Sequence, residues 1–184
     1  MSFRTEIRLS GEGGQGLVLA GKVLAEAAAI YDNKNATQSQ SYGPEARGGA
    51  SRSEVIISDD EIDYPKAVHL DLLLALTQES CTRYWKDLKD EGILLVDSDS
   101  VINIPQGLFK VYKVPIIRIA ERDVGKALVA NIVALGIITG LAKVVSEEAV
   151  ESAILARVPK GTEELNLKAF KAGLKAAEDL KREK

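Results

Sequence analysis

Arg4-Thr-Glu-Ile-Arg-Leu-Ser10, Gly11-Glu-Gly-Gly-Gln-Gly16 and then Leu17 to Ile30 form the stretch from which the fold is read. Its first part alternates polar and apolar residues, the period of a strand, and its last part is Ala- and Leu-rich at helical spacing. The glycines between them let the backbone turn sharply and come close to a ligand, because no Cβ stands in the way. Strand, glycine turn and helix in that order open a parallel α/β sheet. Free N–H groups and the helix dipole at the start of the helix favour an anion there.

Gly11 to Gly16 match G-x-G-x-x-G, and two familiar ligands can be tested against the match. A dinucleotide-binding unit places Asp or Glu roughly 20 residues further on, where it holds the ribose hydroxyls. Here that region reads Asn35-Ala-Thr-Gln-Ser-Gln40, with no carboxylate. A Walker A loop needs Lys and Ser or Thr after its last glycine. Leu17 and Val18 stand there instead, so the catalytic lysine and the magnesium ligand are both missing. NAD binding and nucleotide hydrolysis are disfavoured. A tight turn that serves packing alone stays open on this loop by itself.

Outward from the loop, Asn35 to Gln40 reads as a short polar strand, Ser41 to Gly49 as a Gly- and Pro-bearing loop, and Ser51 to Ser58 as a strand around Val55-Ile-Ile. Leu70 to Leu76, apolar but for Asp71, and Gly92 to Asp97 have the pattern of strands covered on both faces. Glu79 to Lys89 between them suits a helix. Val111 to Ile119 reads as a further strand, and Pro115 within it favours an edge or terminal position. Helices follow at Ala127 to Val145 and at Ser146 to Ala156, the second with Ser146 as its cap. The last, Glu163 to Lys184, carries Leu167, Phe170, Leu174 and Ala177 on one stripe, for packing on its own domain or against a partner. The predicted architecture is α/β: a mostly parallel sheet flanked by helices, Rossmann-like, with a helical C-terminal portion, as one domain over 1–184.

Composition narrows the chemistry. With 24 Lys and Arg against 27 Asp and Glu, the net charge of −3 argues against a nucleic-acid surface. One Cys and one His exclude an internal disulfide, an iron–sulfur cluster and a Cys-rich zinc site, and would make a Ser-His-Asp triad depend on His69 alone. His69 reads as a strand-end residue and Cys81 as a small apolar one. The N-terminus lacks a signal-peptide core, which predicts the cytoplasm. The most apolar stretch, Ala127 to Ala142, falls short of the ~20 residues of a membrane span.

The second loop makes the first one specific. Gln38 to Arg52 is polar and glycine-rich, carries Arg47 and Arg52, and is expected at the same carboxyl-end edge of the sheet as the glycine loop. With Gly11-Glu-Gly-Gly-Gln-Gly16, Ser41-Tyr-Gly-Pro-Glu-Ala-Arg-Gly-Gly49 and Asn131-Ile-Val-Ala-Leu-Gly136 in order, the sequence resembles the gamma subunit of the 2-oxoacid:ferredoxin oxidoreductases over nearly its whole length. The Ser-Tyr-Gly-Pro-Glu-Ala-Arg-Gly-Gly version looks like the 2-oxoglutarate branch, with branched-chain 2-oxoacids or pyruvate as alternative substrates.

The resemblance implies a complex that oxidatively decarboxylates a 2-oxoacid, makes an acyl-CoA and reduces ferredoxin. Its thiamine diphosphate, magnesium and iron–sulfur clusters belong to alpha, beta and delta-type ferredoxin-like chains, and CoA is a substrate. This chain would bind no cofactor by itself, supply no catalytic residue and no metal ligand, and form part of the site wall and scaffold. Its residues facing cofactor or another subunit would be Gly13, Gly14, Gln15, Gly16, Ser41, Tyr42, Gly43, Arg47, Gly48 and Asn131. Gln15 is expected to hydrogen-bond outward. Asn131 would bridge to the glycine loop or cap its helix. Gly136 and Gly140 invite a backbone against their helix: a partner subunit's helix, the chain's own sheet or, in an isolated chain, a second copy. No nucleic acid or membrane partner is expected. The competing reading is a free-standing α/β module that binds a small molecule or nucleotide, which calorimetry against NAD, FAD, ATP and CoA would distinguish.

Overall fold

The computed structural model describes residues 2–42 and 50–183. Its strands are β1 (Arg4–Glu12), β2 (Asn35–Tyr42), β3 (Ala50–Ser58), β4 (Leu70–Ala75), β5 (Leu88–Asp97) and β6 (Lys110–Val114). Its helices are α1 (Leu17–Glu26), α2 (Gln78–Tyr84), α3 (Ile116–Ile119), α4 (Ala130–Ala142), α5 (Glu147–Arg157) and α6 (Glu163–Arg182). A π turn, Ala27–Tyr31, extends α1, so the helix runs one residue past the stretch expected for it.

The strands form one sheet in the order β2-β3-β1-β4-β5-β6. β4 is parallel to β1, β5 to β4 and β6 to β5, whereas β3 is antiparallel to both β1 and β2. All strands but β3 therefore share one direction, and the expected mostly parallel sheet holds. The departure lies in β3, which enters between β1 and β2. The physical reason is the short connection over residues 43–49, since a parallel crossover needs roughly a dozen residues or more and a shorter one returns antiparallel.

Several boundaries differ from expectation: β2 runs on through Ser41 and Tyr42, read as loop, and the helix read over Ala127 to Val145 is α4, Ala130–Ala142, behind a 3-10 turn at Ala127–Val129. The strand read over Val111 to Ile119 stops at Val114, and Pro115 stands at the start of α3. Buried Asp97 ends β5 and accepts from Ile117 N at 3.1 Å and Ser100 N at 3.0 Å, which fixes where α3 starts. β6 does lie at the sheet edge, as the proline suggested. The helix read over Glu79 to Lys89 ends at Tyr84; a 3-10 turn, Trp85–Asp87, leads into β5, whose Leu88 already pairs with Leu70.

β4 and β5 are apolar toward both layers. Leu72, Leu74 and Leu95 join the core under α1, α4, α5 and α6, while Leu70, Leu73, Leu94 and Val96 pack with Cys81 and Tyr84 of α2. Asp71, the polar residue in this run, accepts from Glu6 N at 2.8 Å and from Lys89 Nζ at 2.9 Å. Ser146 caps α5 by accepting from Ala149 N at 3.2 Å.

The apolar helix α4 is covered by the chain itself. A Cβ on Gly136 would strike the carbonyl oxygen of Phe170 and come within 2.8 Å of Gly173 Cα, and one on Gly140 would come within 2.5 Å of Ala177 Cβ. The close partner is thus α6. The sheet, a subunit helix and a second copy are all ruled out at these glycines, because Phe170, Gly173, Leu174 and Ala177 of α6 already fill the seam. Among the described residues no helix is long and apolar enough to cross a membrane.

Candidate functional site

β1 ends at Glu12, beside the start of β3: Glu12 pairs with Ala50, Gly11 with Ser51, and Ser51 in turn with Tyr42 at the end of β2. The chain therefore leaves β2 and enters β3 beside the glycine loop, so the two loops depart from one edge. Gly43, Arg47 and Gly48 lie outside the described residues, and Tyr42 is placed by its backbone as the last residue of β2.

Residues 13–16 make the turn. Gly14 has φ +89° and Gly16 φ +72°, a left-handed backbone that favours glycine. Gly13 and Gly14 are exposed. Gln15 folds back: its Oε1 accepts from Glu12 N at 2.7 Å and its own N–H donates to Glu12 O at 3.3 Å. The side chain expected to reach outward thus closes the turn, and it does so through space left by Gly11, whose Cβ would collide with that oxygen. Gly16 is the N-cap of α1, with no side-chain cap and no acidic residue in the first turn. Those first-turn N–H groups are the kind that donate to an anion or to a partner's carbonyl.

Asn131 holds the loop from behind. Only 4% exposed, it donates through Nδ2 to Gly16 O at 3.0 Å, while its Oδ1 accepts from Ile132 N at 2.9 Å. The bridge to the glycine loop and the anchoring of the helix start are one arrangement. A Cβ on Gly16 would lie 2.5 Å from Asn131 Nδ2, so the glycine is required by the asparagine as well as by φ.

Beside the loop lies a pocket of about 290 Å³, formed by Gly14 and Gln15, by Leu76 after β4, by Ile117 of α3, and by Ala127, Leu128 and Ala130 around the start of α4. Its lining carries no charge. Ser41 is elsewhere: with Arg8, Arg52, Glu54 and Lys66 it lines a separate pocket of about 490 Å³. The described site residues thus divide into the loop with Asn131 and the end of β2.

Sequence reading passed over two features. One is the apolar lining, since Leu128 is indistinguishable from buried neighbours within an apolar run. The other is a buried charged lattice on β1 and β3. Glu6 accepts from Val68 N at 2.7 Å and His69 N at 3.0 Å, and Glu54 from Ala67 N at 3.1 Å. Arg8, 3% exposed, donates to Ala67 O at 3.2 Å, pairs with Glu54 and Asp87, and lies 4.9 Å from the Tyr84 ring centre. The lattice straps residues 67–69 to the sheet, and its signal was the charged half of the alternating first strand.

His69 is exposed just before β4, and Cys81 is buried, which pushes its thiol above the usual range and favours the protonated form. Among the described residues no three His, Cys, Asp or Glu side chains gather as a metal site.

A family model described as pyruvate ferredoxin/flavodoxin oxidoreductase matches residues 6–176. The chain is 53% identical over 182 residues to 2-oxoglutarate synthase subunit KorC of Methanocaldococcus jannaschii, covering 98% of this chain and 97% of that protein. It superposes with TM-score 0.89 and 56% identity on the solved gamma subunit of keto/oxoacid ferredoxin oxidoreductase from Geobacter sulfurreducens, over 96% of this chain and 98% of that one. Against ketoisovalerate oxidoreductase subunit VorA of Methanothermobacter thermautotrophicus, identity is 32% over 178 residues, which are 94% of this chain and 36% of that protein.

Proposed function

The chain belongs to the pyruvate ferredoxin/flavodoxin oxidoreductase family, and we propose that it is the gamma subunit of a 2-oxoglutarate:ferredoxin oxidoreductase. The reaction converts 2-oxoglutarate and CoA to succinyl-CoA and carbon dioxide, releases the thiol proton, and passes two electrons singly to ferredoxin. The observation that carries this reading is the near full-length identity of 53% to a 2-oxoglutarate synthase subunit, against 32% to a ketoisovalerate oxidoreductase subunit.

The residues present do not fit the complex's metal or redox groups, since the sequence has one Cys and the described residues form no metal cluster. Thiamine diphosphate, magnesium and iron–sulfur clusters, which supply decarboxylation and electron transfer, belong on this reading to alpha, beta and delta-type subunits. This chain, acting as a single domain in the cytoplasm, contributes a wall. Gly13 and Gly14 admit a close backbone approach, and the first turn of α1 favours phosphate or carboxylate; Ser41 and Tyr42 at the end of β2, with Gly43, Arg47 and Gly48 after them in sequence, are assigned to the same wall by the family resemblance. Asn131 and Gln15 hold the loop in shape.

Purification of the native protein tests the reading. It should elute with sibling subunits and with CoA-dependent 2-oxoacid oxidation in the same fraction; recovery as a lone monomer without that activity would overturn it. In the complex, Arg47→Ala should raise the apparent dissociation constant for CoA or for a sibling subunit, and unchanged kinetics and assembly would remove Arg47 from the site.

A further inference from the structure

The pocket of about 490 Å³ that holds Ser41 lies on the face of the sheet that packs against α2. Strand register sets its floor: Ser39, Glu54 and Arg8 stand side by side across β2, β3 and β1, and Ser41 stands beside Arg52 in the next row of that face. Arg8, Arg52 and exposed Lys66 set three cations against two carboxylates, Glu54 and Asp87. Both carboxylates are already engaged. Glu54 Oε1 serves Arg8 at 3.5 Å and Arg52 at 3.3 Å, its Oε2 takes Ala67 N at 3.1 Å, and Asp87 pairs with Arg8. Among the described residues Arg52 donates a hydrogen bond from neither terminal nitrogen, and Lys66 has no ion pair. Arg8, 3% exposed, carries a buried Nε with no hydrogen-bond partner. A buried charged donor left without an acceptor is rare in native proteins and marks a place for an ordered water or an ion. The Tyr84 ring, 4.9 Å from Arg8 Cζ and 5.5 Å from Arg52 Cζ, holds both guanidinium groups in position.

We propose that this pocket binds a small molecule through one oxyanion, a carboxylate or a phosphate group, held by the guanidinium of Arg52, the ammonium of Lys66 and the hydroxyls of Ser39 and Ser41. A guanidinium offers two parallel N–H groups that match such an oxyanion, and the hydroxyls add donors beside it. The buried charge of Arg8 stands behind them. A cationic ligand would meet the surplus positive charge of the wall, and an apolar one would take Arg52 out of water with nothing to replace it. The volume falls within the roughly 300 to 1,000 Å³ of small-molecule pockets. The site stands whether or not the chain assembles with the sibling subunits proposed above.

Solution NMR of the full chain in chloride-free buffer, following the arginine Nε–H resonances, tests the site with inorganic phosphate and with acetate as probes. At least one anion should shift the Arg8 and Arg52 resonances saturably. Tighter binding of phosphate would make the ligand's group a phosphate, and tighter binding of acetate a carboxylate. Arg52→Gln should weaken the binding at least fivefold and Lys66→Gln at least twofold. Lys113→Gln, which removes the same charge from the edge strand β6, should leave it unchanged. Where the amide spectrum shows that glutamine at 52 disturbs β3, Lys66→Gln decides, because Lys66 is exposed. Absence of a saturable shift with both anions would overturn the site, as would wild-type affinity in the deciding variant. Equal weakening by Lys113→Gln would overturn it too, reducing the effect to general charge screening. If neither anion binds while Arg52→Gln loosens assembly with a sibling subunit, the pocket seats an acidic side chain of a protein, and the small-molecule site falls.

Discussion

Gly14 and Gly16 belong to one turn, yet a methyl group would have different consequences at each. At Gly14 the left-handed backbone disfavours a side chain but the space is free; at Gly16 the backbone is also left-handed and Asn131 fills the space. Gly14→Val should therefore cost about 1–2 kcal/mol in the isolated chain, the strain of the conformation, while reducing activity of the complex at least tenfold. Equal loss of both would make Gly14 purely structural. Gly16→Ala should destabilise the isolated chain more, by about 2–4 kcal/mol, as strain and overpacking add. Asn131→Ala strips Gly16 O of its side-chain donor and should cost about 1–3 kcal/mol in urea denaturation. A free energy within experimental error of wild type would remove Asn131 as the loop's anchor. The glycine loop was legible because its conformation is local. The Asn131 bond was not, since it joins residues far apart in sequence, and an amide on an apolar helix says only that it needs a partner. Buried Cys81 should resist iodoacetamide at pH 8 in the folded chain and react on unfolding, whereas rapid native labelling would contradict its burial.

Helices and strands were legible to the extent that their periods were. The stripe on α6 showed which face packs, and the alternation on β1 showed which residues face the main core. What a face packs against is set by non-local geometry. Gly136 and Gly173 let α4 and α6 approach until backbone meets backbone, and neither helix's own pattern names the other. Gly136→Ala should therefore lower stability by about 1–3 kcal/mol or more, the cost of forcing atoms into a closed seam. Leu128→Ala, at an exposed position, should change it by less than about 0.5 kcal/mol. If thermal melts put both variants within a degree of wild type, the seam would be looser than described. The same limit explains the boundary at Pro115, which signalled an edge strand correctly while the helix after it depends on buried Asp97 capping from the end of β5.

For the molecule as a whole, family and function were more legible than detailed placement. Two glycine loops and an Asn-bearing helix, in order, point to one kind of subunit, and the sheet brings the described ends of both loops to one edge through the β2–β3 hairpin. Scarcity of Cys and His fits a division of labour in which metals and redox groups sit in other chains, leaving this one to shape a wall. The substrate rests on comparison rather than geometry, because the pocket beside the glycine loop carries no charged group that would select a dicarboxylate over a branched acid. The decisive measurement is the kcat/KM of the purified complex for CoA-dependent ferredoxin reduction with 2-oxoglutarate, 2-oxoisovalerate and pyruvate. It should be at least tenfold higher with 2-oxoglutarate than with either alternative, and a preference for 2-oxoisovalerate or pyruvate would contradict the assignment.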